Sequence, residues 1–165
     1  MSEVLSNPGV VRVRAALDTA GVASAIVELP GAARTAQAAA TYLGCGVGQI
    51  ANSLVFRAER SGEAVLVMSS GARRVDTQRL AAAVGESIGK ADAAFVREKT
   101  GFAIGGVAPV GHATPIRSYV ETSLAAHREI WAAAGHPHTV FRLSYEDLLR
   151  ITGGRPVDVA VEVAA

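Results

Sequence analysis

Ser53-Leu54-Val55-Phe56-Arg57-Ala58 and Ala64-Val65-Leu66-Val67-Met68-Ser69 stand on either side of Arg60-Ser61-Gly62-Glu63, and the reading of this stretch decides the class of fold. Two apolar, β-branched runs joined by a four-residue polar connection predict an antiparallel hairpin. Both runs are nearly continuous in apolar residues instead of alternating, which predicts strands covered on two faces. The flanking sequence supplies helices to cover them. Asn7 caps a predicted helix with Pro8 at its first position, and Val10, Val11, Val13, Ala16 and Leu17 recur at roughly helical spacing up to Gly21. Ala25-Ile26-Val27-Glu28-Leu29 reads as a short strand before Pro30-Gly31, and Thr35 caps an alanine-rich helix from Ala36 to Leu43 that ends at Gly44.

Beyond the hairpin, Asp76 or Thr77 starts a helix through Leu80 and Val84, and Ala91-Asp92 starts another through Phe95 and Val96 to Lys99. Arg117 to Val120 predicts a strand, Ser123 to Ala134 a helix ending at Gly135, and Thr139 to Leu143 a further strand. Ser144 caps a last helix with Asp147 at the reciprocal position, and after Gly153-Gly154 the alternation from Val157 to Val163 predicts a final strand. Strands and short helices intermix, with no repeat, low-complexity tract or linker between them. The expectation is therefore one α/β domain over residues 1–165, with a mixed sheet that includes an antiparallel hairpin.

At 165 residues, 50% hydrophobic and 19% charged, the chain can bury a core without staples. Sixteen basic against fifteen acidic side chains leave +1, too little field to grip a long nucleic acid, so no DNA partner is expected and any RNA contact must be local. The lone Cys45 cannot close an intrachain disulfide and fits a reducing compartment. The amino terminus lacks a signal-peptide pattern and no 18-residue apolar run occurs, so a cytoplasmic protein without a membrane partner is expected.

Several residues invite chemical readings. Gly44-Cys45-Gly46-Val47-Gly48 has the look of a dinucleotide loop, but a helix precedes it and a strand follows, the reverse of what that fold needs, so a helix C-cap and turn is read instead. His112, His127, His136 and His138 include a His-Pro-His triplet without the Cys or His-Glu-x-x-His partners of a zinc site, and neither metal nor cofactor is expected. Cys45 follows a helix C-terminus, whose dipole disfavours a thiolate, and reads as a packing residue. Thr100 to His112 is the most unusual passage, with glycines at 101, 105, 106 and 111 and few charges. Within it, Gly105-Gly106-Val107-Ala108-Pro109 suits a cradle of main-chain N–H groups around an anion or oxyanion, and equally suits a tight turn or bulge between strands. His112 follows directly and is placed to face whatever the loop surrounds.

Taken in order, Thr35-Ala36-Gln37-Ala38-Ala39, Gln49-Ile50-Ala51-Asn52-Ser53-Leu54-Val55-Phe56, Arg74-Val75-Asp76, Thr100-Gly101 and Gly105-Gly106-Val107-Ala108-Pro109 resemble the YbaK family of prolyl-tRNA-synthetase-associated editing domains. The likeness is collinear and continues through Gly135 and Leu143-Ser144-Tyr145-Glu146-Asp147-Leu148, covering roughly residues 20 to 155. It implies a compact α/β fold with a curved central sheet and a freestanding deacylase that hydrolyses the ester between a wrong amino acid and the terminal ribose of a tRNA. By the same resemblance Gly105, Gly106, Val107, Ala108 and Pro109 would hold the carbonyl end, with Thr35 at the pocket wall. Two positions depart from the family pattern. The lysine common in the Gln-Ile-x-Lys-Ser-Leu segment is Asn52 here, and Glu121 stands where relatives often carry aspartate.

Three functions compete on these grounds. The first is a trans-editing hydrolase that uses Asn52, the 105–109 loop and His112 or His138 to position ester and water. The second is a module that binds an aminoacyl-adenosine end without turnover, because an amide carries no charge to replace the ammonium. The third is a protein that docks on a synthetase. The expected partners are the acceptor end of an aminoacyl-tRNA and, beside it, a synthetase or elongation factor. Fourteen of the sixteen basic residues are arginines, able both to pair with phosphate and to stack on bases, and Arg34 or Arg73 is a candidate to reach into the site.

Overall fold

The Asn7 side chain accepts the Gly9 amide at 2.9 Å and Pro8 takes the first helical position, so α1 runs over Pro8–Thr19 as its sequence predicts. The computed structural model describes residues 3–162. After α1 come β1 (Ile26–Glu28) and α2 (Ala36–Leu43), which Thr35 caps by accepting the Ala38 amide at 3.1 Å and Gly44 ends in the left-handed conformation. The hairpin follows as β2 (Ile50–Ala58) and β3 (Ala64–Ser70), paired antiparallel from Ala51↔Ser70 to Arg57↔Ala64. Next are β4 (Arg73–Val75), α3 (Thr77–Val84), β5 (Ile88–Lys90) and α4 (Ala93–Thr100). The last third holds β6 (Arg117–Glu121), β7 (Ile130–Ala133), β8 (Thr139–Leu143), α5 (Tyr145–Thr152), β9 (Arg155–Val157) and β10 (Ala160–Glu162).

Among the described residues these strands form a mixed eight-stranded sheet in the order β1-β8-β7-β2-β3-β6-β9, with β5 added beside β2, and a separate ribbon of β10 and β4. β3 lies in the middle and is buried at every residue, as its unbroken apolar run requires. One face of the sheet packs Leu66, Met68 and Phe141 against Val10, Val13 and Leu17 of α1, Leu148 of α5 and Phe102. The other face packs Val65 and Val67 against Leu80 of α3, and α2 lies over Ile50 through Ala39 and Ala40. Among the described residues no helix is long and apolar enough to cross a membrane.

Three expectations need correction. The alanine-rich stretch from Ser123 to Ala134 is not a helix: a 3₁₀ turn covers Thr122–Ala126, and β7 then pairs antiparallel with β8 and parallel with β2. Two ladders and the burial of Ile130, Ala132 and Ala134 override local helix propensity there. The strand expected from Val157 to Val163 is divided, because β9 joins β6 in the main sheet while β10 crosses to β4; Val163 itself lies outside the described residues. Burial of β2 on two faces holds only at its ends, since Asn52 to Phe56 are half-buried and line open space.

Candidate functional site

The pairing of β2 creates the site. The Ala58 amide donates to the Glu63 carbonyl and the Gly71 amide to the Ile50 carbonyl, so the even-numbered residues of β2 turn their main-chain groups toward β3. The odd-numbered residues turn theirs to the opposite edge. Along that edge β2 pairs with β7 only at Ile50 and Ala51, and with β5 only from Phe56 to Ala58. Ser53 falls in the gap, and its N–H and C=O have no strand partner.

A cavity of about 220 Å³ fills this gap. Its walls are the start of α2 with Arg34, Thr35 and Ala36, the open run of β2 with Asn52 and Ser53, the loop at Gly105 and Val107, and Trp131 on β7. The Asn52 side chain makes no hydrogen bond among the described residues. Directly across the ladder from it, the Ser69 hydroxyl is buried and likewise has no partner. A second, apolar space of about 210 Å³ shares Ser53, Leu54, Ile104, Gly105 and Val107 with the first and continues to Phe56, Ala91 and Val96. On the solvent side, a groove of about 590 Å³ shares Arg34, Thr35 and Asn52 with the cavity and runs past Gln37 to Gly71 and Ala72.

The His136-Pro137-His138 turn holds the walls together. Its carbonyls at His138 and Pro137 accept the amides of Leu29 at 2.7 Å and Ala33 at 2.8 Å, which fixes the segment leading to Arg34 and Thr35. Gly106 packs on the same turn so closely that a Cβ there would lie 2.9 Å from the His136 Cα. The triplet is thus a brace: the His136 Nδ1 accepts the His138 amide at 3.0 Å, and the two rings meet edge-on with centroids 5.2 Å apart. Among the described residues no three His, Cys, Asp or Glu side chains are grouped to hold a metal.

The predicted residues are divided by this geometry. Thr35, Asn52, Gly105 and Val107 meet in the cavity. Gly106 and Ala108 are buried and do not line it, and the Gly106 amide is committed to the Ala103 carbonyl at 2.9 Å, whereas the Gly105 and Val107 amides donate to no acceptor among the described residues. Pro109 and His112 line a different groove, against α1 and α5. There the His112 Nε2 donates to the Ala108 carbonyl at 2.7 Å, so the imidazole braces the loop from behind. His138 lines neither space. Glu121 is fully buried at the end of β6, where its carboxylate accepts the Ser123 amide at 2.6 Å and the Ser123 hydroxyl. Arg73 lies on the β4–β10 ribbon, 3.9 Å from Glu162. Burial pushes the Cys45 thiol above its ordinary range, in keeping with a packing residue beside Ala39 and Ile50. Sequence reasoning missed Ile104 and Trp131 as wall residues. Ile104, 57% exposed beside Gly105, carried the only signal available, an apolar side chain with no periodic partner.

Both bracing histidines have a lowered pKa. Burial lowers the His112 pKa, outweighing its bond to the Ala108 carbonyl. Burial, and then the charge of His138, lower that of His136 against the opposing pull of Glu28. The unfolded chain therefore takes up these protons first as the pH falls, so stability is full above the ordinary value of 6.5 and declines below it. Denaturant unfolding at pH 7.5 and pH 5.5, values chosen about one unit to either side, should give a lower midpoint at the acid value. His112→Gln should shrink that difference, and an unchanged difference would show that His112 does not contribute to it.

Comparison with known proteins agrees with this architecture. The aminoacyl-tRNA editing domain family matches residues 31–151. A solved structure described as a candidate trans-editing enzyme for prolyl tRNA synthetase superposes with a TM-score of 0.87 at 43% identity, over 94% of this chain and 98% of that one. Hypothetical protein APE2540 shares the fold, with a TM-score of 0.84 at 24% identity over 91% and 99% of the two chains. The uncharacterized protein YwhH of Bacillus subtilis (strain 168) is 28% identical over 123 residues, 74% of this chain and 78% of that protein. With its motifs, its α/β fold and more than two thirds of its length matching, the chain belongs to the aminoacyl-tRNA editing domain family, the YbaK group.

Proposed function

We propose that this protein is a trans-editing deacylase that hydrolyses the ester linking a wrong amino acid to the terminal ribose of a tRNA. The observation that carries this reading is a cavity lined by residues with uncommitted main-chain groups, Ser53, Gly105 and Val107, together with the unpartnered side chains of Asn52 and Arg34. An aminoacyl ester is already activated, so positioning and oxyanion stabilisation by fixed N–H groups suffice without a nucleophilic side chain. Water attacks the carbonyl carbon, the oxyanion rests on the loop amides, and the ester C–O bond breaks as the ribose oxygen takes a proton. Asn52 donates one neutral hydrogen bond where relatives use an ammonium. The apolar space toward Val96 receives the amino-acid side chain, and its volume discriminates by about 1–3 kcal/mol per methylene. Such a substrate places the enzyme in the cytoplasm.

The test is a panel of mischarged tRNAs with purified protein. At least one should lose its amino acid well above the buffer rate, and Asn52→Lys should raise that rate roughly tenfold, the worth of one charge-assisted contact. If no member is hydrolysed, alone or with a synthetase or elongation factor, the reading falls. Binding of a non-hydrolysable aminoacyl-adenosine without turnover would then favour the binding module, the reading that Asn52 supports.

A further inference from the structure

Arg34 lines both the cavity and the adjoining groove, and among the described residues it is the one charged residue lining either. It is exposed and makes no ion pair or hydrogen bond among the described residues. Five arginines elsewhere, Arg73, Arg79, Arg117, Arg142 and Arg150, each face a carboxylate, and none of them lines the cavity or the groove. The position of Arg34 is not loose, because the segment before it is tied to the His136–His138 turn by the Ala33 amide. Thr35 and Ala36 follow at the first turn of α2, and the Thr35 hydroxyl is already engaged by the Ala38 amide. The groove floor is drawn tight at Gly71, where a Cβ would lie 2.7 Å from the Val47 carbonyl oxygen. An unpaired guanidinium at the junction of an acyl-sized cavity and an open groove is placed to bind an anion that remains outside when the acyl group is inside.

Resting on the deacylase reading above, we infer that Arg34 binds the phosphodiester on the 5′ side of the terminal adenosine, and that the groove between α2 and the β3–β4 turn carries the penultimate nucleotide. A planar guanidinium pairs with two phosphate oxygens at once, which an amide at Asn52 cannot do. The cation that the lysine position lacks is in this way supplied from the neighbouring helix start.

The test compares two non-hydrolysable ligands, an amide-linked aminoacyl-adenosine without phosphate and the same aminoacyl group amide-linked to a minihelix RNA ending in CCA. For Arg34→Gln, affinity for the minihelix should fall roughly tenfold while the adenosine arm changes less than twofold. The slope of log affinity against log salt for the minihelix should flatten by about 0.7, the value for one phosphate contact on a single strand. Arg34→Lys should recover part of the loss. Equal losses on both ligands, no loss on either, or failure of the unaltered protein to bind the minihelix would each overturn the assignment. Turnover is measured separately on mischarged tRNA, so that binding with the Arg34 signature but no hydrolysis sinks the deacylase reading alone.

Discussion

On the proposed deacylase reading, Gly106→Ala is expected to lower kcat/KM on a mischarged tRNA by about 100-fold or more. The added Cβ would lie 2.9 Å from the His136 Cα and 3.0 Å from both its carbonyl carbon and its nitrogen. All three are main-chain atoms of a turn that also holds Leu29 and Ala33, so no flexible side-chain end is available to move aside. The loop must lift, and it takes the Gly105 and Val107 amides with it. A displacement of about 1 Å at reacting groups costs on the order of 100-fold in rate. Gly105→Ala is the control. Its nearest new neighbours are the Pro137 ring carbons at 3.7 and 3.8 Å, and only its φ of +91° is strained, a cost of about 1–2 kcal/mol. Its loss should be smaller. Gly106→Ala activity within threefold of the parent would show that the seat of the loop on His136 does not position the chemistry.

Gly135→Ala should be the most destabilising single-methyl change in the chain, at roughly 3 kcal/mol or more. Two independent penalties combine there: a φ of +103°, and a Cβ at 2.7 Å from the carbonyl carbon and oxygen of Gly9 and 3.0 Å from the Val10 nitrogen. The contact is reciprocal, since a Cβ on Gly9 would lie 2.7 Å from the Gly135 oxygen. Helix α1 thus rests directly on the turn that follows β7, one residue before the His-Pro-His brace. At about 2–4 °C per kcal/mol for a chain of this size, calorimetry should show the midpoint falling by roughly 6–12 °C. A fall of less than about 2 °C would mean that α1 slides to accommodate the methyl group.

Local chemistry made much of this fold legible. Asn7-Pro8, Thr35 with Gly44, Asp92, and Ser144 with Gly153 each cap a helix where the sequence says they should, and only the end of α4 at Gly101, one residue past Thr100, was not read. The hairpin was equally plain, because both strands and their connection lie within one short segment. Strands whose partners are distant were not legible. β7 is an alanine-rich run that becomes a strand only because β2 and β8 flank it, and the three-residue β4 and β5 are too short to show a period. The site was half legible. Asn52, Thr35, Gly105 and Val107 converge as their motifs suggest, but proximity in sequence placed His112 with a loop whose far side it braces. Arg34 and Arg73 were equal candidates in the sequence, and the fold separates them: Arg34 lines the cavity beside β2, whereas Arg73 lies on the β4–β10 ribbon beside Glu162.

On the deacylase reading proposed above, the gap at Ser53 bears on how the site changes over generations. A peptide N–H survives nearly every codon change at its own position, so the hydrogen-bonding apparatus is inherited with the strand pairing that leaves Ser53 open and not with any particular side chain. Half-buried Leu54 and Phe56 can then change and resize the chamber, altering which acyl group that reading admits, while the main-chain groups beside them stay in place. Only proline at Ser53 would remove that donor in a single step.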